Sequence, residues 1–229
     1  MSTFQRKEVK YKITTDQRDK LLGCISKNIV DDQHARYHIC NLYLDTHNHR
    51  LIRNSIDKPM YKEKIRLRSY GVIGSDDKIY LELKKKLNGI VYKRRVKMRY
   101  DEAIAYVKGE ANRTEQISNE IDYFLNYYKN IESKFFIAYD RVAFQGKEDS
   151  SLRITFDENI TYRTTRLDLT CDSVGKSILD QDWVLLEIKA TNSMPIWLVK
   201  ALSECKIYKQ SFSKYGQAYR LENDINMEV

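Results

Sequence analysis

Lysine and arginine recur at alternate positions in several stretches of this 229-residue chain. In EKIRLRSYG (63–71), Lys64, Arg66 and Arg68 alternate with Ile65 and Leu67. In KIYLELKKKLNGIVYKRRVKM (78–98), Leu81 and Leu83 oppose Glu82, Lys84 and Lys86; further on, Val91, Lys93, Arg95, Lys97 and Arg99 oppose Tyr92, Val96 and Met98. Side chains two apart share one face of a strand. A face of guanidinium forks and mobile ammonium groups is suited to anions, the fork gripping two oxygens at once and lysine acting as a point charge. Facing inward, these groups would repel one another unless a polyanion occupied the space; a solvated outer sheet surface is the alternative reading.

The elements that carry such faces follow from the same periodicity. Asn88-Gly89 is the signal of a two-residue hairpin turn, because both residues tolerate positive φ. Alternation also predicts strands over 5–13, 36–46, 63–71, 134–146, 151–163 and 182–192. The first sets Val9, Tyr11 and Ile13 against Glu8, Lys10 and Lys12. Further on, Leu152, Ile154 and Phe156 oppose Arg153, Thr155 and Asp157, and Val184, Leu186 and Ile188 oppose Leu185, Glu187 and Lys189. Helical spacing follows a capping start at Thr14 or Thr15 and returns in DEAIAYVKG, EQISNEIDYFLNYYKNI and at about 195–204 and 213–222. The fold class expected is α+β, a mainly antiparallel sheet with flanking helices. About eight strands can close into a barrel that holds a small ligand. With helices on the apolar faces, the charged faces would line its interior as a basic tunnel.

The bulk numbers agree with a globular protein: 42% hydrophobic and 31% charged residues, with 8 Gly and 2 Pro. A net charge of +8 and a pI near 9.1 favour an acidic partner. Cys24, Cys40, Cys171 and Cys205 are scattered without a CxxC pair, as in a protein of reduced thiols. No apolar run is long enough to span a membrane and the start lacks a secretory signal, so a cytoplasmic location is expected. His34, His38, Cys40, His47 and His49 match no standard zinc spacing. No P-loop and no GxSxG elbow occurs, so ATP would have to bind without a P-loop. Tyr123, Phe124, Tyr127 and Tyr128 lie at helical spacing and read as packing, with base stacking as the alternative.

The ordered series RKEVKY (6–11), NLYLDT (41–46), KIRLRSYG (64–71), LELKKKLNGIVYKRR (81–95), YDRVAF (139–144), LRITFDENI (152–160), LLEIKATNSMP (185–195) and SFSKYGQAY (211–219) closely resembles the VTC domain. This is the catalytic domain of the vacuolar transporter chaperone polyphosphate polymerases, in the triphosphate tunnel metalloenzyme superfamily. The resemblance spans nearly the whole chain and implies one domain over 1–229, a tunnel-shaped barrel with basic residues inside. The activity implied is transfer of the ATP γ-phosphate to a growing polyphosphate chain, releasing ADP, with Mn²⁺ or Mg²⁺. By motif, Arg66, Arg68, Lys84, Lys93 and Lys10 would grip phosphates, Arg141 and Arg153 would reach in from later strands, and Glu187 would hold the metal. Lys214 would lie by the phosphates, with Ser213 as a polar contact. Many hydrolytic tunnel enzymes open on a strand with two alternating glutamates and a lysine. Here Lys7, Glu8, Val9 and Lys10 supply one glutamate, which favours the polymerase branch and leaves Glu8 as a second metal contact.

The partners implied are ATP and inorganic polyphosphate, with room for association with a membrane-bound partner. Two other functions compete. A tunnel triphosphatase would hydrolyse a nucleoside triphosphate or inorganic tripolyphosphate. A non-catalytic module would only bind a polyanion. An RNA-binding sheet displays aromatics beside its cations; here the strand cations share their faces mostly with Glu and other cations, so no nucleic acid partner is expected.

Overall fold

The computed structural model describes residues 7–88, 90–111, 116–191 and 193–225. Nine strands and six helices follow in the order β1 (Lys7–Thr14), α1 (Thr15–Ile25), β2 (Ile29–Asp45), α2 (Arg50–Ile56), β3 (Tyr61–Tyr70), β4 (Lys78–Leu87), β5 (Ile90–Arg99), α3 (Tyr100–Val107), α4 (Gln116–Tyr128), β6 (Glu132–Gly146), β7 (Arg153–Arg163), β8 (Lys176–Ser177), β9 (Trp183–Ala190), α5 (Ile196–Glu204) and α6 (Lys214–Glu222). Hydrogen bonding orders the strands β1-β9-β7-β6-β2-β3-β4-β5, with β8 on β7. This is the α+β architecture expected, an antiparallel sheet with flanking helices. The chain separates into two compact units. The first takes Met1–His38, Tyr139–Ile160 and Ser177–Ser213; the second takes Ile39–Ala138, Thr161–Lys176 and Lys214–Val229.

In the first unit β1 pairs with β9, setting Lys10 opposite Glu187 and Glu8 opposite Lys189. On its other edge β9 pairs with β7, setting Thr155 opposite Glu187 and Arg153 opposite Lys189. The alternate positions Tyr11, Ile13, Ile154, Phe156, Val184, Leu186 and Ile188 form an apolar core with Leu21 and Ile25 of α1 and Leu198, Ala201 and Leu202 of α5. Helix α1 starts at a capping box in which Thr14 and Gln17 satisfy each other's backbone N–H groups.

In the second unit β3, β4 and β5 form a meander. Leu87 pairs with Ile90 across the turn, and Asn88 has a φ of 48° as the hairpin signal requires; Gly89 lies outside the described residues. Leu42, Leu44, Ile65, Leu67, Ile79, Leu81, Leu83, Val96 and Met98 face one way and are sealed by Ala103 and Tyr106 of α3 and by Ile121 and Phe124 of α4. In each unit, then, helices take the apolar face and the cations take the other.

The sequence pattern did not announce all of this. Strand β2 begins seven residues before the expected 36, because its first part is mostly exposed and carries no alternation. Helix α2 escaped because its start is held by a strand residue, Asp45, which accepts hydrogen bonds from Leu51 N (2.8 Å) and Ile52 N (3.0 Å). The tyrosine stripe on α4 splits. Phe124 and Tyr128 pack against the core, while Tyr123 and Tyr127 stay exposed and stack on each other.

Candidate functional site: two charged clusters

The cation face of the second unit is organised by one carboxylate. Glu82 is 2% exposed and sits on β4 between Arg66 of β3 and Arg95 of β5, its register partners. Arg66 donates to Glu82 Oε2 from Nε (2.9 Å) and Nη2 (2.7 Å). On the other oxygen, Arg95 donates from Nε (2.7 Å) and Lys93 Nζ stands at 2.7 Å. Arg68 Nε lies 3.9 Å from Oε2 and donates to Asn41 Oδ1 at 2.9 Å. Burial alone would raise the Glu82 pKa, but Arg66, Arg68 and Lys93 overwhelm it and hold the carboxyl far below the usual range. Lys93 is pushed down to about 8 by desolvation, with repulsion from Arg95 and Arg66 working against the pull of Glu82. Four cations thus converge on the carboxylate of Glu82, a concentration of positive charge suited to a phosphate chain.

The neighbouring rows extend this face. Lys84 pairs with Lys64 on one side and with Lys93 on the other. Arg66 Nη1 donates to the Tyr43 hydroxyl (2.9 Å), and Tyr43 stacks on Tyr215 of α6 with centroids 4.5 Å apart. Tyr215 in turn donates to Asp45 Oδ2 at 2.9 Å. This buried relay fixes the first turn of α6, whose first residue is Lys214.

The first unit carries the second cluster. Arg141 of β6 and Asp157 of β7 pair bidentately, Nε to Oδ1 at 2.5 Å and Nη2 to Oδ2 at 2.7 Å. Arg141 Nη2 also reaches Glu187 Oε2 at 3.2 Å, while Lys189 and Lys10 stand 3.4 and 3.9 Å from Glu187 Oε1. Burial pushes the Glu187 pKa up, yet Lys189 and Lys10 outweigh it and the carboxyl rests well below the ordinary glutamate range. Glu8 lies within hydrogen-bonding reach of Glu187 and between Lys10 (3.4 Å) and Lys189 (3.7 Å).

Of the residues singled out from sequence, Arg66, Arg68 and Lys93 converge on Glu82 in the second unit, with Lys84 beside them. Lys10, Arg141 and Glu187 converge in the first unit. Arg153 is engaged elsewhere on the same strand, with Asp32 Oδ2 (2.7 Å) and the Tyr37 hydroxyl (3.1 Å). Ser213 and Lys214 are half-buried at the start of α6, one in each unit. Sequence reasoning gave no role to Glu82, Arg95 or Asp157, although each held its place in the alternation. It also found too few aromatics on the cation faces. Tyr43, Tyr70 and Tyr80 all share the face of Arg66, Arg68 and Glu82, because they occupy the matching phase of β2, β3 and β4.

The implied Mn²⁺ or Mg²⁺ fits the first cluster. Among the described residues, no group of three or more His, Cys, Asp or Glu side chains could cage a metal ion. A hard divalent ion on phosphate needs only one or two protein carboxylates, and Glu187 with Glu8 supplies two adjacent oxygen donors.

The fold class is shared with solved structures of low sequence identity. An adenylate cyclase candidate from Bacillus halodurans superposes with a TM-score of 0.58 at 10% identity, covering 91% of this chain and 95% of that one. An adenylyl cyclase candidate from Hippeastrum, reported to show a dominant triphosphatase activity, gives 0.54 at 14% identity over 97% and 98% of the two chains. A third, an adenylate cyclase candidate from Vibrio parahaemolyticus, gives 0.51 at 10% identity over 95% and 99%. No curated protein sequence matches this one. The VTC domain model matches residues 5–223, and the chain belongs to the VTC domain family.

Proposed function

We propose that this protein is a polyphosphate polymerase, a single catalytic domain over 1–229 that transfers the ATP γ-phosphate to a growing inorganic polyphosphate chain and releases ADP. The observation that carries the reading is the convergence of Arg66, Arg68, Lys93 and Arg95 on the one carboxylate of Glu82, in a chain of the VTC domain family. Phosphoryl transfer asks the protein for alignment and for neutralisation of charge on the phosphate oxygens, with little covalent help. Arg66 and Arg68 hold phosphate oxygens with forks fixed by Glu82, Tyr43 and Asn41. Lys84 and Lys93 add charge from β4 and β5, and Lys214 from α6. In the first unit Arg141, held rigid by Asp157, and Lys10 supply cations around Glu187. Arg153 contributes once a phosphate chain competes with Asp32, and Ser213 offers a hydroxyl. A bound Mn²⁺ or Mg²⁺, held by Glu187 with Glu8, would supply charge neutralisation on the phosphate oxygens. No helix of the described residues is long and apolar enough to cross a membrane, and the substrate pair assigned here is ATP with polyphosphate.

Hydrolysis is the second reading, favoured by the triphosphatase activity named for the Hippeastrum structure and by the adjacent Glu8 and Glu187 carboxyls. Incubation with ATP and Mn²⁺, with and without a short polyphosphate primer, separates the two. A polyphosphate ladder with matching ADP is the expected product. Free phosphate without a ladder selects the triphosphatase, and primer binding without either product selects a polyanion-binding module. Arg66→Ala and Glu187→Gln are each expected to abolish turnover; wild-type turnover in the folded double variant removes both from the site.

A further inference from the structure

Near one end of β3 and β4 the cation face of the second unit carries two tyrosines. Tyr70 follows Arg66 and Arg68 at alternate positions of β3, and Tyr80 lies opposite Arg68 on β4, so both side chains emerge on the guanidinium side. Tyr70 is 50% exposed, and its ring meets Tyr80 edge-on with centroids 6.1 Å apart. Arg95 couples this pair to the anion site. Its guanidinium holds Glu82, lies 4.2 Å over the Tyr80 ring and hydrogen-bonds Tyr70. Lys97 stands 5.9 Å from the same ring. The exposed pair Tyr123 and Tyr127 has no such access, because α4 packs on the opposite, apolar face of these strands.

Residues two apart on a strand are separated by about 7 Å. Tyr70 therefore stands one step beyond Arg68 and two beyond Arg66, far enough along the face to meet the base of a nucleotide whose phosphates lie at the arginines. An inorganic triphosphate would have nothing to offer an aromatic ring there. We propose that Tyr70 and Tyr80 form a nucleobase platform at the end of the phosphate site, so that the site selects a nucleoside triphosphate over inorganic tripolyphosphate. The inference rests on the phosphate-site reading above. Base–aromatic stacking tolerates any base, since every base has a π-face, and a guanidinium behind the ring holds it in position.

Calorimetric titration of the purified protein with ATP and, separately, with inorganic tripolyphosphate tests this, using Tyr70→Ala, Tyr70→Trp and Arg66→Ala. Tyr70→Ala is expected to weaken ATP binding roughly tenfold and tripolyphosphate binding far less. Tyr70→Trp should hold ATP as tightly as wild type or more so. Equal weakening of both ligands by Tyr70→Ala, or unaltered ATP binding, overturns the platform while the phosphate site stands. Tripolyphosphate binding that Arg66→Ala does not weaken, or its absence in wild type, overturns the phosphate-site reading and the platform with it.

Discussion

At the scale of single residues, Lys93 gives a pH handle on the proposed anion site. Its ammonium is pushed down to about 8 by desolvation, against the pull of Glu82 and with repulsion from Arg95 and Arg66. A bound polyanion needs the charged form. Affinity for tripolyphosphate should therefore fall as pH rises through about 8, because an increasing share of the free protein must take up a proton to bind. In Lys93→Arg the charge persists, so the ratio of wild-type to variant affinity should drop at least about threefold between pH 7 and 9. A ratio flat across that range would place Lys93 away from the ligand. This residue was legible because its face and its motif agreed. Glu82 was visible in the alternation, but its role was not. A lone carboxylate among cations looks like ordinary charge balance until β3, β4 and β5 bring four of them to its two oxygens.

At the scale of elements, the alternating stretches were read nearly to their ends, because one face is apolar and covered in each unit. What failed was whatever depends on a distant partner. Helix α2 is the case in point. Asp45 is wholly buried and accepts from the N–H groups of Thr46, Leu51 and Ile52 and from the Tyr215 hydroxyl. It caps one helix and anchors another, and no local pattern records either job. Asp45→Ala should strip the cap and leave buried donors unsatisfied, a loss of about 3 kcal/mol seen as a lower midpoint in chemical unfolding. Tyr215→Phe removes one of those four hydrogen bonds and should cost about 1 kcal/mol. If Asp45 serves only as a helix cap, Tyr215→Phe will be neutral, and the link from α2 to α6 falls.

At the scale of the whole molecule, both clusters place carboxylates among cations, and this fixes how stability depends on acid. Lys189 and Lys10 hold Glu187 below the ordinary glutamate value of 4.5 against the effect of burial, and Arg66, Arg68 and Lys93 do the same for Glu82. A carboxyl with a depressed folded pKa binds its proton more readily in the unfolded chain. Its contribution is therefore complete above the unfolded value and is lost as pH falls toward the folded one. The melting temperature should be nearly level from pH 7 to about 5 and then fall steeply below about 4.5. The composition already implied many paired charges, with 32 acidic residues against 40 basic ones. Which of them are buried depended on strand order and could not be read from the chain alone. Asp157, fully buried against Arg141, is the sharpest case. Asp157→Asn leaves a buried guanidinium with half its counter-charge, which costs about 3–5 kcal/mol, or on the order of 10 °C in melting temperature at neutral pH. A deficit below about 1 kcal/mol at neutral pH would show that Asp157 acts through packing rather than charge.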